Sequence, residues 1–411
     1  MIQLYNLAIW VYSIAIRMAK PFQPKARLFL NGRKEVWVSL ADFKKQNTKD
    51  IIWFHAASLG EFEQGLPVME AFQKEFPEKA IVVSFYSPSG YEHRKDHPIA
   101  NFTCYLPIDT HKNAWRFINQ LNPVAAIFIK YEFWHHYLNK LKLNQIPIFC
   151  ISAVFTPNHI FFKSYGGFHR DMLKKFDHFF VQNSKSLMLL ESIGILNVTV
   201  AGDTRYDRVE QTLLNPKQYD DISTFTKDHF TLIIGSAWPE DMDVLRRFIN
   251  EKAGEIKVII APHLIDDSHV KKITALINRP FHLYTDGNID PSIDILVVNT
   301  IGMLSSIYQY GDMAYIGGAF GDGLHNILEA VAFGLPVVFG DKGLDKVPES
   351  QELITLGGAF SISNAKMADE VLNNLMIENF RKGASEVCRN YVRENTGATS
   401  KIISFFKERL N

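Results

Sequence analysis

The chain has 411 residues, about twice what one hydrophobic core usually organises, so two domains are expected. Its 44 Lys and Arg residues balance 44 Asp and Glu residues, which excludes a general nucleic-acid binder held by counterion release. A hydrophobic fraction of 47% with 21% charged residues excludes long disorder and a polytopic membrane protein. Cys104, Cys150 and Cys388 form no CxxC pair, so neither a disulfide framework nor a cysteine zinc site is indicated.

The first element expected in chain order is an uncharged helix at residues 2–16. Only basic charges follow it before Glu35: Arg17, Lys20, Lys25, Arg27, Arg33 and Lys34. This order is the reverse of a secretory signal peptide, and the helix is shorter than the roughly 20 residues of a straight membrane span. It is either packed on its own domain or interfacial, with Tyr5, Trp10 and Tyr12 at the lipid headgroups. The basic residues favour contact with an anionic inner leaflet.

Apolar runs rich in Val, Ile and Phe alternate with amphipathic stretches from residue 50 onward, which predicts parallel strands covered by helices on both faces. The predicted strands of the first half are 51–56, 80–86, 124–130, 146–154, 178–182 and 198–201. After a polar segment, 208–228, the pattern restarts at 230–235, 257–261, 281–284, 294–298, 313–317, 336–339 and 359–362.

We therefore predict an α/β protein of two doubly wound Rossmann-like domains that face each other across a cleft, preceded by a membrane-associated amino-terminal helix. The expected boundaries are 1–35 for the anchoring helix and basic segment, 36–207 for an acceptor-binding domain, 208–228 for a linker and 229–411 for a nucleotide-binding domain.

Ligands of such sheets bind at the carboxyl ends of strands, so the loops there are the candidate sites. Glu61 in HAASLGE at 55–61 is placed either as a general base or as the acidic partner of Ser58 in a capping box. Lys130 and Glu132 share parity on an extended strand, so they are predicted to point to one face, as site residues or as a rim ion pair. SPSG at 87–90 is either an anion-binding helix start or a plain turn.

The second half carries a glycine-rich segment, IGGAFGDGLHNILEA at 316–330, that leads into a helix and suits a phosphate. Asn326 and Glu329 within it also fit a helix cap. His263 closes a strand, either over the cleft or as an ordinary packed histidine. The sequence contains no HExxH, no early GxGxxG and no GxxxxGK[ST] motif, which argues against a zincin, a nicotinamide dehydrogenase and an NTPase. The pattern indicates a sugar-nucleotide transferase.

In their order along the chain, these segments resemble the 3-deoxy-D-manno-octulosonic acid (Kdo) transferases of lipopolysaccharide biosynthesis. The matching segments are HAASLGE at 55–61, SPSG at 87–90, YLPID at 105–109, YEFW at 131–134, GDTRYD at 202–207, Pro262-His263, NTIGML at 299–304 and GGAF with HNILEA within 317–330. The resemblance implies the GT-B fold and a place at the cytoplasmic face of the inner membrane. It also implies an inverting transfer of Kdo from CMP-Kdo to a lipid A precursor, without a metal, a cofactor or nucleic acid.

Carried over residue by residue, the resemblance implies that Glu61 is the general base. Arg205 stands where the family has a lysine and is implied to lie near the departing phosphate. Lys130 stands where the family usually has the first of two glutamates, so either Glu132 or no residue takes the second acidic role.

For the nucleotide, the resemblance implies contacts from two regions of the second half. The ribose and phosphate of CMP are assigned to Asn326, Ile327, Leu328 and Glu329, and the surroundings of cytosine and phosphate to Pro262, His263, Ile301, Gly302 and Met303. Two departures weaken this set, because the family's arginine between Pro262 and His263 is missing and Met303 replaces a frequent glutamate.

Two other functions remain open at this point. One is a GT-B transferase that uses a UDP-sugar donor, and the other is a non-catalytic membrane-peripheral protein that binds sugar nucleotides and uses Glu61 and Glu329 only as helix caps. The number of Kdo units transferred, the exact lipid acceptor and the oligomeric state have no readable motif.

Overall fold

A computed structural model describes residues 1–290, 292–321 and 323–410. The chain forms two compact domains, the first comprising Met1–Arg208 with the segment from Thr396 onward, and the second Val209–Asn395. The strands are β1 Ile51–Ala56, β2 Ala80–Phe85, β3 Phe102–Tyr105, β4 Ala125–Ile129, β5 Ile148–Ala153, β6 His178–Val181, β7 Val198–Val200, β8 Thr231–Ala237, β9 Lys257–Pro262, β10 Phe281–Leu283, β11 Ile295–Val297, β12 Met313–Ile316, β13 Val337–Gly340 and β14 Ala359–Ile362.

The α-helices surround these strands. They are α1 Ile2–Ala19, α2 Pro24–Gln46, α3 Leu59–Glu75, α4 Pro88–Arg94, α5 His111–Leu121, α6 His135–Leu143, α7 Gly167–Leu173, α8 Ser184–Glu191, α9 Thr204–Leu214, α10 Asp220–Thr226, α11 Pro239–Lys252, α12 Asp267–Thr274, α13 Leu304–Ile307, α14 Leu328–Ala332, α15 Pro348–Leu356, α16 Ala365–Met376, α17 Glu378–Asn395 and α18 Ala398–Leu410.

Each domain contains one parallel sheet, and within the described residues each sheet has seven strands. The strand order is β3-β2-β1-β4-β5-β6-β7 in the first domain and β10-β11-β9-β8-β12-β13-β14 in the second. The order reverses between β1 and β4 in the first sheet and between β8 and β12 in the second. Parallel sheets bind ligands at such switch points, so the loops after these four strands are the structural candidates for a site.

The predicted α/β class with two doubly wound sheets is confirmed, and the apolar runs mark the strands well. The strand that the sequence analysis did not predict is β3, a short edge strand with the mixed sequence Phe-Thr-Cys-Tyr. Its pairing with β2, from Val82 and Phe102 onward, extends the first sheet by one strand. Edge strands are half-covered and carry a weaker apolar signal than central ones.

The predicted domain boundaries need correction at both ends of the second domain. Residues 208–228 are not an open linker, because α9 and α10 occupy most of them. The second domain ends at Asn395, and α18 returns to the first domain. There the ring of Phe406 contacts Phe72, Phe149 and Phe180, while Asp207 accepts hydrogen bonds from the backbone of the segment before α18. An amphipathic helix in the sequence does not reveal which sheet it covers.

The predicted segment 1–35 also divides differently. Helix α2 runs through the expected boundary at residue 35 and buries Val36 and Leu40 in the core of the first domain. Arg33, one of the six basic residues assigned to a membrane surface, is buried in the fold. Four of the six basic residues, Lys25, Arg27, Arg33 and Lys34, therefore lie in the first half of a packed helix, and the basic segment is not a separate element.

Helix α1 presents a polar side to the protein and an apolar side to solvent. On its inner side, the Tyr5 hydroxyl donates to Asp109 and the Tyr12 ring packs against Phe29 and Tyr86. The Tyr5 hydroxyl is therefore directed to the protein and not to lipid headgroups, whereas Tyr12 stays 39% exposed and its expected place at the headgroups stays a prediction. The outward side chains are apolar and exposed, namely Leu4, Leu7, Trp10, Val11 and Met18. Among the described helices, none has both the length and the apolar character needed to cross a membrane.

Candidate functional site

Glu61 lies in the first turn of α3, directly after β1 and at the switch point of the first sheet. Its Oε2 accepts hydrogen bonds from the backbone N–H groups of Ala57, at 2.5 Å, and Ser58, at 3.1 Å. The predicted capping arrangement of Ser58 and Glu61 is therefore confirmed. The Glu61 side chain is largely enclosed, with 8% of its residue surface exposed.

Burial and a neighbouring carboxylate raise the pKa of Glu61 above its ordinary value. Desolvation, with the negative charge of Glu132 as the second cause, raises the pKa of Glu61 to about 7. The Ala57 N–H and the Lys130 charge act in the opposite direction. A carboxylate with a pKa near neutrality can accept a proton from a reacting hydroxyl at physiological pH, which is the property of a general base.

Lys130 and Glu132 follow β4, the neighbour of β1 across the switch point. The parity prediction is wrong, because β4 ends at Ile129 and Lys130 has a left-handed backbone with φ of 71°. Both charges nevertheless act on Glu61, so the structure brings the three together. Among the described residues, no ion pair joins Lys130 to Glu132, whose own pKa is raised by burial. Strained backbone of this kind is frequent in functional loops.

A buried histidine that the sequence analysis did not select holds the loop after β4 in place. The indole N–H of Trp134 donates to Nε2 of His55 at 3.0 Å. Because indole is only a donor, Nε2 is unprotonated and Nδ1–H donates to the Ser84 carbonyl. Burial lowers the pKa of His55 to about 3, so the ring stays neutral. Trp134 also stacks on Tyr86, with ring centroids 4.3 Å apart.

Arg205 follows β7 in the first domain and is held by its own loop. Its Nε donates to Asp203 Oδ2 at 2.9 Å, and its terminal nitrogen lies 2.8 Å from the same oxygen. The carboxylate offsets part of the guanidinium charge. The structure therefore shows a fixed cation whose partner is Asp203, and the suggested role near a departing phosphate stays a prediction.

The SPSG segment is the start of helix α4 and not a plain turn, and the suggested binding of an anion there stays a prediction. Ser87 caps α4 by accepting from the Ser89 N–H, and Gly90 lies against Phe85 and the backbone of Ser58. A Cβ at Gly90 would lie 2.2 Å from the Phe85 ring, so only glycine permits this approach. The segment supports the loop that carries Glu61.

Three rings meet at the switch point of the second sheet. Trp238, after β8, donates its indole N–H to His325 Nε2 at 2.9 Å. His263, after β9, stacks on both rings with centroid distances of 4.7 Å to Trp238 and 4.2 Å to His325. Pro262 is the last residue of β9. The structure thus brings the Pro262-His263 loop against the glycine-rich segment, as the sequence analysis expected, and adds Trp238 and His325 to the set.

The Asp241 carboxylate holds the backbone of the glycine-rich segment in place. Its carboxylate accepts hydrogen bonds from Trp238 N at 3.0 Å, Gly318 N at 2.9 Å and the Tyr315 hydroxyl at 2.8 Å. A Cβ on Gly317 would lie 2.5 Å from Asp241 Oδ2, and Gly318 has a left-handed backbone with φ of 98°. The two glycines are therefore required by close backbone approach. Trp238 and Asp241 belong to GSAWPED at 235–241. The sequence of this segment does not reveal that these two residues contact His325 and Gly318, which lie far along the chain.

The predicted cap of Asn326 and Glu329 is not formed as expected, because α14 begins at Leu328 with Ile327 at its N-cap and no side-chain cap bond. Asn326 Oδ1 accepts from Leu328 N at 3.2 Å, and its amide donates to Glu329 Oε1 at 3.1 Å. The side chains of Ile327 and Leu328 are fully buried, so any contact with a nucleotide comes from their backbone. Helix α14 has only five residues, which makes its dipole weaker than the glycine segment led us to expect.

The Ile301–Met303 turn offers one side chain to solvent. Ile301 is 83% exposed, whereas Met303 is buried and its sulfur accepts a hydrogen bond from Thr300. Gly302 between them has a left-handed backbone with φ of 85°. The turn follows β11, on the same carboxyl edge of the second sheet as the loops of His263 and His325.

The neighbours of Glu61 give an expected pH dependence. If ionised Glu61 drives the reaction, the rate rises as pH increases through about 7. Replacing Glu132 with glutamine removes a repulsion and is expected to move this acidic limb to lower pH. Replacing Lys130 with glutamine removes an attraction and is expected to move it to higher pH. Initial rates between pH 5 and 9 measure both shifts, and equal profiles for the two variants would contradict the arrangement.

Comparison with known proteins shows which proteins this chain resembles in sequence. Residues 27–208 match the family model described as 3-deoxy-D-manno-octulosonic-acid transferase. A protein named 3-deoxy-D-manno-octulosonic acid transferase from Chlamydophila psittaci is 26% identical over 329 residues, which cover 77% of this chain and 76% of that one. A relative of the same name from Rickettsia bellii is 25% identical over 346 residues, 80% of each chain.

Solved structures confirm the fold class. A glycosyltransferase from Rickettsia africae superposes with a TM-score of 0.56 at 13% identity, covering 89% of this chain and 100% of that one. MurG from Acinetobacter baumannii gives 0.53 at 16%, covering 88% and 99%. A UDP-N-acetylglucosamine 2-epimerase gives 0.61 at 11%, covering 88% and 97%, so the likeness shows the fold and not the reaction. The fold is of the GT-B class, and residues 27–208, which make up most of the first domain, resemble the 3-deoxy-D-manno-octulosonic-acid transferase family of glycosyltransferases.

Proposed function

We propose that this protein transfers Kdo from CMP-Kdo to a lipid A precursor, with inversion and without a metal. The observation that carries the proposal is the Glu61 carboxylate, enclosed at the switch point of the domain that matches the family and raised in pKa to about 7. Both the donor and the acceptor are proposed from the resemblance to the Kdo transferases. Among the described residues, no cluster of three or more His, Cys, Asp or Glu side chains is arranged to hold a metal ion.

In this mechanism Glu61 removes the proton from an acceptor hydroxyl as its oxygen bonds to the anomeric carbon of Kdo. The bond from that carbon to the phosphate oxygen breaks at the same time, and the electron pair leaves with CMP. Burial, with the charge of Glu132 as the second cause, keeps the pKa of Glu61 raised, and the charge of Lys130 acts in the opposite direction. The His55–Trp134 hydrogen bond keeps the loop of Glu132 in place.

The second domain would hold CMP through the loops at its switch point. The exposed Asn326 and the His263 ring offer polar and stacking contacts. Ile301 would cover an apolar part of the nucleotide. Arg205 of the first domain is proposed as a cation that offsets charge on the departing phosphate.

Incubation with CMP-Kdo and a tetraacylated lipid A precursor tests the proposal, with mass spectrometry of the lipid product. The expected result is a mass increase of whole Kdo residues together with CMP release that depends on the acceptor. Competition by CMP but not UDP would support the donor, whereas competition by UDP alone would favour a UDP-sugar transferase. Binding of CMP-Kdo without any acceptor-dependent CMP release would instead indicate a non-catalytic sugar-nucleotide binder.

We further propose that α1 lies in the membrane interface at the cytoplasmic face of the inner membrane. A surface helix usually buries its apolar side, but α1 has no buried residue and exposes Leu7, Trp10 and Met18 while Tyr5 bonds to the protein. Arg17 and Lys20 stand at the carboxyl end of this apolar face. This order of apolar and basic groups matches an interfacial helix on an anionic surface.

Removing apolar area from α1 is expected to release the protein from vesicles. The variant Leu7→Ser with Trp10→Ser should bind anionic vesicles at least about tenfold more weakly, because two exposed apolar side chains no longer enter the lipid. Leu196→Ser with Tyr165→Ser is the matched control, since both side chains are exposed in the same domain. Flotation assays measure the difference, and equal loss in the two variants would contradict an interfacial α1.

A further inference from the structure

A cationic cavity lies between the first two helices, away from Glu61 and its loop. Its volume is about 320 Å³, and its lining consists of Arg17, Lys20, Leu30, Arg33, Lys34 and Ile108. Four of the six side chains are cationic, and none is acidic. None of the six lining residues belongs to the catalytic or nucleotide sites described above.

The sequence pattern of the two helices creates this convergence. Arg17 and Lys20 are three residues apart at the end of α1, so they lie on one face. Leu30, Arg33 and Lys34 have the i, i+3, i+4 spacing of one face of α2. The short connection from Lys20 to Pro24 brings the two faces to the same cavity, and Ile108 forms the third wall.

Arg33 is held rigidly in the cavity wall. It is 8% exposed, and its guanidinium donates to the carbonyl groups of Leu106 at 2.9 Å, Phe29 at 3.0 Å and Tyr86 at 2.7 Å. The guanidinium carbon also lies 3.4 Å from the centre of the Phe29 ring. These bonds use three of five N–H groups and bring no carboxylate to the cation. Arg33 is therefore a preorganised positive charge.

The other cations of the cavity are not neutralised by the protein. Within residues 1–290, 292–321 and 323–410, none of Arg17, Lys20 and Lys34 forms an ion pair with an acidic side chain. Four like charges around one cavity repel each other, and most of this repulsion disappears when an anion of high charge binds. A phosphate monoester carries more charge than a diester and offers three oxygens to these donors.

We propose that this cavity is a binding site for a phosphate monoester. Two sources share this chemistry: the headgroup of an anionic lipid, and a soluble phosphorylated molecule. The cavity adjoins Met18 and Phe22, which are 70% and 84% exposed, so a lipid phosphate would reach it while these side chains enter the acyl layer. The proposal is independent of Kdo transfer, because its readout is binding alone.

A pair of charge-matched variants separates the cavity from general basicity. Lys20→Gln with Lys34→Gln removes two cavity charges, whereas Lys25→Gln with Arg27→Gln removes two exposed charges from α2 that do not line the cavity. Vesicles contain phosphatidylcholine with either phosphatidic acid, a monoester, or phosphatidylglycerol, a diester, adjusted to equal surface charge. The unmodified protein is expected to bind the monoester vesicles more tightly, by roughly tenfold.

The cavity variant is expected to lose this preference, and the control variant is expected to keep it while both bind anionic vesicles somewhat more weakly. Calorimetric titration with glycerol 3-phosphate and inorganic phosphate tests the soluble source. Soluble phosphate binding that the cavity variant lacks, without any lipid preference, would support the site and assign its ligand to solution. Absence of both the lipid preference and soluble binding, or their equal loss in the two variants, would overturn the proposal. Melting curves of both variants exclude unfolding as the cause.

Discussion

Replacing Glu61 with glutamine is expected to lower the turnover number for Kdo transfer about 1000-fold while the protein stays folded. Glutamine cannot take a proton from the acceptor hydroxyl, but its amide oxygen can still accept from the N–H groups of Ala57 and Ser58. The two roles of Glu61, capping and catalysis, are thereby separated. Steady-state rates with CMP-Kdo and a lipid acceptor measure the first role, and the melting temperature measures the second.

A stability profile adds an independent check on the environment of Glu61. Because the folded pKa is raised to about 7, the stabilisation from the neutral acid is complete below the unfolded pKa and is lost as pH rises through about 7. The glutamine variant stays neutral, so it should be at least as stable as the unmodified protein at pH 8. Glu63→Gln on the same helix is the control for turnover, since Glu63 pairs with Arg94. Comparable turnover of both variants would remove Glu61 from the mechanism.

Replacing Asp241 with alanine is expected to destabilise the second domain by at least about 3 kcal/mol. The substitution leaves Trp238 N, Gly318 N and the Tyr315 hydroxyl without their shared acceptor in a buried site. Asp241→Asn retains the shape and one acceptor oxygen, so a smaller loss is expected. Chemical denaturation followed by circular dichroism measures the free energy of unfolding of each variant.

The same substitution tests whether the glycine-rich loop serves the donor. Once Gly318 is no longer held, KM for CMP-Kdo should rise in the asparagine variant more than kcat falls, because Asp241 touches the loop and not the acceptor. Asp243→Asn is the matched control, since Asp243 is exposed on the same helix. An unchanged KM for a folded asparagine variant would show that the loop does not hold the donor.

Much of the fold can be predicted from the sequence because the parallel strands are buried on both faces. Strands such as β4 and β12 are buried along their whole length, so their sequences are unbroken apolar runs. The ends of the domains are harder, since α18 is amphipathic like any surface helix and only packing selects the first sheet. The burial of Arg33 could not be predicted either, because its aromatic partners come from three separate segments of the chain.

Some residues of the candidate site could also be predicted from the sequence, and others could not. Glu61 and His263 could be selected because each follows a strand and belongs to a motif in the right order. The residues that hold these loops could not be selected from the sequence, because their contacts join distant segments. Trp134 and His55 are 79 residues apart, and Trp238 and His325 are 87 residues apart. The parity of Lys130 and Glu132 failed for a local reason, because a left-handed residue ends the strand before them. The roles assigned to Arg205, Ile301 and Asn326 stay predictions.

The return of α18 to the first domain has a consequence for synthesis on the ribosome. The core around Phe72 and Phe149 is completed by Phe406, which is translated after the entire second domain. The second domain is continuous in sequence and can therefore fold first, whereas the earlier-made first domain keeps part of its apolar surface open until α18 has been translated. During that interval α1 is already available, so a membrane contact made by this helix would hold the nascent chain in place before its catalytic domain is closed.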